Sequence, residues 1–205
     1  MNRVYLELGP KKVFACSVDW PGWCRIDKAE EPALDTLMDY VPRYALIAAR
    51  AGVPFEPGDP VVVERVPGSQ MTDFGAPFAV PDLDREPLSP QAAEQGVALL
   101  RAAWELFDEV AAAAPAELRK GPRGGGRDRD KIVDHVTEAE RAYARKLGVR
   151  YKPYKSVADR DAMRAELVRA FLSPPGEIGW PVPYALRRTA WHVIDHLWEI
   201  EDKSV

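Results

Sequence analysis

Pro67, Pro77, Pro81, Pro87 and Pro90, with Gly68 and Gly75 among them, leave no room for a long helix or an inner strand between residues 67 and 90. That is the composition of a linker, so the chain is expected to fold as one part before it and another after it. The spacing of apolar residues differs on the two sides. Before the break, Val4, Leu6 and Leu8 alternate with Tyr5 and Glu7, the period-two pattern of a half-buried strand. Gly9-Pro10 marks a turn, VFACSV reads as a second strand, and Pro21-Gly22 turns the chain into a short third strand over Trp23 to Ile26. From Glu30 the spacing becomes helical through Leu34, Leu37, Met38, Val41, Ala45 and Ala48, with a kink or break predicted at Pro42. VVVERV, residues 61–66, returns as a last strand.

After the break the period is that of helices. Ser89 can cap a helix that opens on Pro90 and runs to about Ala114. A second spans about Arg127 to Leu147 and ends at Gly148. A third runs from about Ser156 to Leu172, stopped by Ser173-Pro174-Pro175-Gly176, and a fourth begins near Pro183 and reaches the tail. The expected fold class is therefore α+β: a small N-terminal α/β sandwich-like module over residues 1–68, a Pro/Gly-rich linker over 69–88, and an up-down four-helix bundle over 89–205.

Composition narrows the function. With 46% hydrophobic and 29% charged residues the chain belongs to the soluble globular class. It has no apolar run long enough for a membrane span and no apolar core followed by a small-residue cleavage site at its start, so a cytoplasmic location is expected. A net charge of −4 argues against a nonspecific nucleic-acid binder. Cys16 and Cys24 have no histidine near them in sequence and read as buried, unreactive thiols.

The three histidines carry the chemistry. His192 and His196 stand one turn apart on the last helix, so both imidazoles can reach one ion. His135 lies in the second helix at the edge of an apolar arc of Ile132, Val136, Ala139, Tyr143 and Leu147. His192 and His196 border a similar arc of Val193, Leu197 and Ile200. If the two helices are neighbours, the rings converge, and three neutral imidazoles suit Zn, Ni, Fe or Cu while leaving a position open. Asp134, Glu138, Asp195 and Glu199 are candidates to accept a ring N–H, and Glu138 or Glu199 to act as fourth ligand or proton acceptor. Trp191, Ile194 and Trp198 form a second apolar stripe on the last helix, expected to pack in the helical core, on the N-terminal part or on another subunit. Arg119, Lys120, Arg123, Arg127, Arg129 and Lys131 surround a glycine-rich loop, either a solvated loop or a place to hold an anion.

Two resemblances follow. Residues 90–203, through HVTEAERAY and WHVIDHLWEIED, resemble the DinB-like (YfiT-type) four-helix bundles. That resemblance implies a three-His divalent metal site held by His135, His192 and His196, with Zn, Ni or Fe as the ion. It also implies a small-molecule substrate, a homodimer and, as in several members, metal-dependent transfer using a low-molecular-weight thiol such as mycothiol or bacillithiol. The N-terminal CSVDWPGWCRID followed by a helix is similar to the HicB-type module, whose members are often antitoxins with an attached DNA-binding element; no helix-turn-helix is evident here. The expectation is a metal-dependent enzyme, a thiol-dependent transferase or a hydrolase. The alternatives are a binding or regulatory protein of HicB-type antitoxin descent, or a non-catalytic bundle with a structural metal.

Overall fold

A computed structural model describes residues 1–121, 124–174, 176 and 179–204. Arg123 of the basic run, Pro175 of the third helix's expected stop and Val205 at the end of the expected bundle lie outside the described residues. The chain is mixed α+β, with a four-stranded sheet at its N-terminal end and seven α-helices among the described residues.

The sheet comprises β1 (Asn2–Leu8), β2 (Val13–Ser17), β3 (Cys24–Asp27) and β4 (Pro60–Pro67) in the order β3-β2-β1-β4. The first three strands form an antiparallel meander, and β4 lies parallel to β1. The crossover to β4 holds α1 (Glu30–Asp39) and α2 (Val41–Arg50). The break between these helices falls at Tyr40, two residues before Pro42, whose ring is tolerated in the first turn of α2. Both helices pack with Val4, Leu6, Val13 and Ala15 on one sheet face, where Trp23 is fully buried and stacks on Tyr44 at 5.5 Å.

The half-buried reading of β1 is corrected here. Tyr5 and Glu7 on the other face are 4% and 0% exposed. Tyr5 joins Phe14, Cys16, Cys24 and Val66 in a second apolar cluster, closed by Trp191 from the far end of the chain. Glu7 is buried because its carboxylate is fully engaged. It accepts from Thr72 Oγ1 at 2.6 Å and from the Phe78 and Ala79 N–H groups at 3.1 and 2.9 Å. Those partners belong to the stretch expected as a linker, which contains α3 (Gln70–Asp73) and a 3₁₀ turn over Asp82–Arg85. Glu64 accepts from the N–H groups of Asp82 and Leu83, and Arg188 donates to the Pro77 carbonyl. The stretch therefore lies bound along the sheet rather than loose between two parts.

Four long helices follow: α4 (Pro90–Ala113), α5 (Arg129–Lys146), α6 (Val157–Leu172) and α7 (Val182–Lys203). Ser89 and Ser156 cap α4 and α6 by accepting from the N–H groups of Ala92 and Asp159. α7 packs against both α4 and α5, and α4 against α6. From Pro183 to Ile194 every residue of α7 is buried, more than three turns, so no side of this stretch faces water. One flank meets the sheet. Trp191 sets its ring edge-on to Phe14 at 6.2 Å, and Trp198 packs on Tyr40 at 4.9 Å with the Arg25 guanidinium 4.4 Å above it. The Trp191, Ile194, Trp198 stripe thus packs on the N-terminal part. The Pro21-Gly22 turn comes so close to α7 that a Cβ on Gly22 would lie 2.7 Å from the Ala190 carbonyl carbon.

Candidate metal centre

His135 is carried on the second turn of α5, and His192 and His196 on successive turns of α7. Since α5 packs directly against α7, helical phase brings the three rings together. Ring centres are 4.9 Å (His135 to His192), 5.0 Å (His135 to His196) and 4.7 Å (His192 to His196) apart. One nitrogen from each ring lies within 4.8 Å of the others. His135 and His192 face one another through Nε2 at 3.2 Å.

This spacing can be tested against an ion. Imidazole nitrogens at about 2.0–2.1 Å from a tetrahedral centre sit about 3.3 Å apart, so the His135–His192 pair has the separation of two co-ligands. The third ring is held by its neighbour one turn on. His196 Nδ1 lies 2.6 Å from Glu199 Oε2, which accepts its N–H and leaves Nε2 free. Glu199 is held in turn by Lys203 one turn on. Burial alone would raise the Glu199 carboxyl, but the hydrogen bonds from His196 and Lys203 outweigh it and bring it to about 2. His192 Nδ1 is buried without a hydrogen-bond partner, and the ring is fixed by packing between Tyr143 and Trp191, at 5.7 and 5.8 Å.

Two of the rings, His192 and His135, resist protonation. Burial lowers His192 well below the usual imidazole value of 6.5, with His196, His135, Arg188 and Arg127 adding repulsion. His135 is lowered by burial and by His196 and Arg127. Neutral imidazoles are the form that binds metals. The sign for stability follows from linkage. Below 6.5 the unfolded chain takes up protons that the folded chain refuses, so the metal-free protein loses stability as pH falls through that value. Urea unfolding of chelator-treated protein at pH 7.5, 6.5 and 5.5 is expected to give descending midpoints; a flat series would count against neutral, buried rings.

Of the four expected acids, only Glu199 joins the rings. Glu138 pairs with Arg141, Asp195 pairs with Arg25 at 3.0 Å, and Asp134 is exposed. Two participants were absent from the sequence reading of the site. Lys203 was visible in principle as the i+4 partner of Glu199. Tyr143 was assigned to the apolar arc, whereas its ring is half-buried beside His192. The basic run divides: Arg119 donates to the Asp202 carbonyl, Lys120 pairs with Asp128, Arg129 pairs with Asp130, and Arg127 lies close enough to repel a proton from His135 and His192.

Compared with known protein families, with curated proteins and with solved structures, the chain matches none. No helix among the described residues is long and apolar enough to cross a membrane.

Proposed function

We propose that His135, His192 and His196 hold one divalent ion, Zn, Ni or Fe, in a metal-dependent enzyme of the DinB-like (YfiT-type) four-helix-bundle class, a thiol-dependent transferase or a hydrolase. The observation that carries this reading is the 3.2 Å approach of two Nε2 ring nitrogens from different helices, with a third ring one turn away. A divalent ion held by the three imidazoles would supply Lewis acidity, lowering the pKa of a water or thiol bound to it. The chain's own part is orientation. Glu199 fixes the tautomer of His196, Lys203 fixes Glu199, and the rings of Tyr143 and Trp191 fix His192. Arg127 adds positive potential beside the rings, which favours an anionic nucleophile such as a thiolate. Within this reading the N-terminal HicB-like module serves as the scaffold against which α7 is seated.

Titration of chelator-treated protein with Zn or Ni is expected to saturate at one equivalent. His192→Ala should weaken binding by at least about 100-fold, roughly 2.7 kcal/mol. Glu199→Gln, which keeps the shape but not the charge, should cost about 10–100-fold. Absence of stoichiometric binding, or unchanged binding in His192→Ala, would overturn the reading. The deep burial of His192 and His196, 5% and 9% exposed, favours a second reading in which the ion only ties α5 to α7. A screen of the metal-loaded protein with low-molecular-weight thiols and electrophiles separates the two: turnover lost in His192→Ala supports the enzyme, and metal-dependent stability without turnover supports the structural ion.

A further inference from the structure

Cys16 on β2 and Cys24 on β3 stand directly opposite one another in the antiparallel register, and both thiols are free. The adjoining pair is Ser17 and Trp23, where the Ser17 N–H donates to the Trp23 carbonyl at 2.9 Å. Hydrogen-bonded and non-hydrogen-bonded pairs alternate along an antiparallel ladder, so Cys16 and Cys24 occupy a non-hydrogen-bonded pair. In such pairs the Cα atoms lie about 4.5 Å apart and the side chains come closest. A disulfide asks for Cα atoms about 4.4–6.8 Å apart, and this ladder spacing falls inside that range. The two side chains also share the outer sheet face, in the cluster with Tyr5, Phe14 and Val66.

In the folded chain no reagent reaches them. Cys16 and Cys24 are 0% and 3% exposed. The gap beside Cys24 measures about 10 Å³, at most the room of one water. Its walls include Pro77 and, from α7, Tyr184, Arg187, Arg188 and Trp191. Burial also pushes the Cys16 thiol up, away from the thiolate form that attacks sulfur. These barriers belong to the docked state of α7. The register that places the two sulfurs side by side belongs to β2 and β3 alone, which are joined by the short Pro21-Gly22 turn.

We propose that Cys16 and Cys24 close a cross-strand disulfide while α7 is undocked, and that docking of α7 then seals the pair in whichever state it holds. The co-reactant is a low-molecular-weight disulfide. The thiolate of one cysteine attacks it, forming a mixed disulfide and expelling one thiolate. The other cysteine, once deprotonated, attacks the protein sulfur of that mixed disulfide and expels the second. Two electrons pass from the protein to the reagent, and the two protons lost by the cysteines end on the two thiols released. This inference does not rest on the metal reading.

The probe is glutathione disulfide, applied to the reduced full chain both in native buffer and in urea above the unfolding midpoint, with peptide mapping by mass spectrometry. Oxidation is expected to be at least about 100-fold slower in the folded chain, because only the opened fraction reacts. The chain oxidised in urea should carry an intramolecular Cys16–Cys24 link and refold on dilution. Its urea midpoint should then exceed that of the reduced protein, since a cross-link that fits the native register restricts the unfolded chain. The link should also survive dithiothreitol in native buffer and yield to it in urea. Equal oxidation rates in the two conditions, or ready reduction of the refolded chain, would overturn the sealing by α7. Links between chains in place of the internal one, failure of the linked chain to refold, or a lowered midpoint would overturn the disulfide itself.

Discussion

Glu140→Ala is expected to remove about 3–5 kcal/mol of folding free energy, a large part of what a domain of this size possesses. The side chain of Glu140 is 0% exposed at the interface of α4, α5 and α6. Its carboxylate accepts from Trp104 Nε1 and from Arg164 through Nε at 3.0 Å and Nη2 at 3.3 Å. Arg164 is itself 6% exposed, with its guanidinium 4.8 Å from the Trp104 ring centre. Removing the acid leaves a buried cation whose remaining acidic neighbour, Asp108, lies at 3.5 Å and is shared with Arg160. It also strands the indole N–H. The cost arises from what is left unpaired, so Glu140→Leu combined with Arg164→Met should recover most of the loss. Urea denaturation of the two singles and the double measures this, and a single-variant loss below about 1 kcal/mol would contradict it. The effect should reach the histidine cluster, because Glu140 and His135 share α5 and the network holds that helix against α4 and α6.

Gly22→Ala is expected to cost about 2–5 kcal/mol. Gly22 adopts φ +88°, where a side chain costs about 1–2 kcal/mol, and forcing extra atoms into a packed interface costs about 1–3 kcal/mol more. The added methyl would meet Ile194 Cδ1 at 2.6 Å, the Ala190 carbonyl carbon at 2.7 Å and the Trp191 nitrogen at 2.9 Å. The turn cannot easily retreat, because Tyr44 Oη donates to the Pro21 carbonyl at 2.9 Å and Trp23 is locked behind it. Gly22→Asn separates the two causes. Asparagine tolerates positive φ, so a near-native Gly22→Asn protein in thermal unfolding would show that close approach to α7 is not limiting.

Much of this fold is legible in the residues, for reasons that differ by element. The ends of α4 and α6 follow from Ser89 and Ser156, whose side chains cap locally, and local chemistry needs no tertiary knowledge. The histidine cluster is legible because helical phase converts one-dimensional spacing into a shared face, and α5 and α7 do lie side by side. Phase was less informative for the rest of α5. Its buried stripe is Ile132, Val136, Glu140 and Ala144 at strict four-residue spacing, while Ala139 and Tyr143, read as core, are half-buried. A polar residue in the stripe hides it from an apolar count, and its partner Arg164 lies on a different helix. The 67–90 stretch is likewise opaque: much of its anchoring runs through backbone N–H and carbonyl groups to Glu7, Glu64 and Arg188, which leave no mark on composition, and its side-chain anchors, Thr72 and Asp84, meet partners far away in sequence, Glu7 and Arg187. Glu199 could not be distinguished from Asp134, Glu138 and Asp195, since which acid meets a ring depends on rotamer and neighbour rather than spacing.

Trp191 seals the outer sheet face, yet it is made long after the strands it covers. During synthesis Tyr5, Phe14 and Val66 leave the ribosome with only the side chains of the 76–83 segment beside them until residues 182–203 follow. The nascent chain will therefore hold a sticky, half-finished sheet for most of its translation, and any stall or cleavage before α7 emerges should yield fragments that aggregate or engage chaperones rather than a free-standing N-terminal unit.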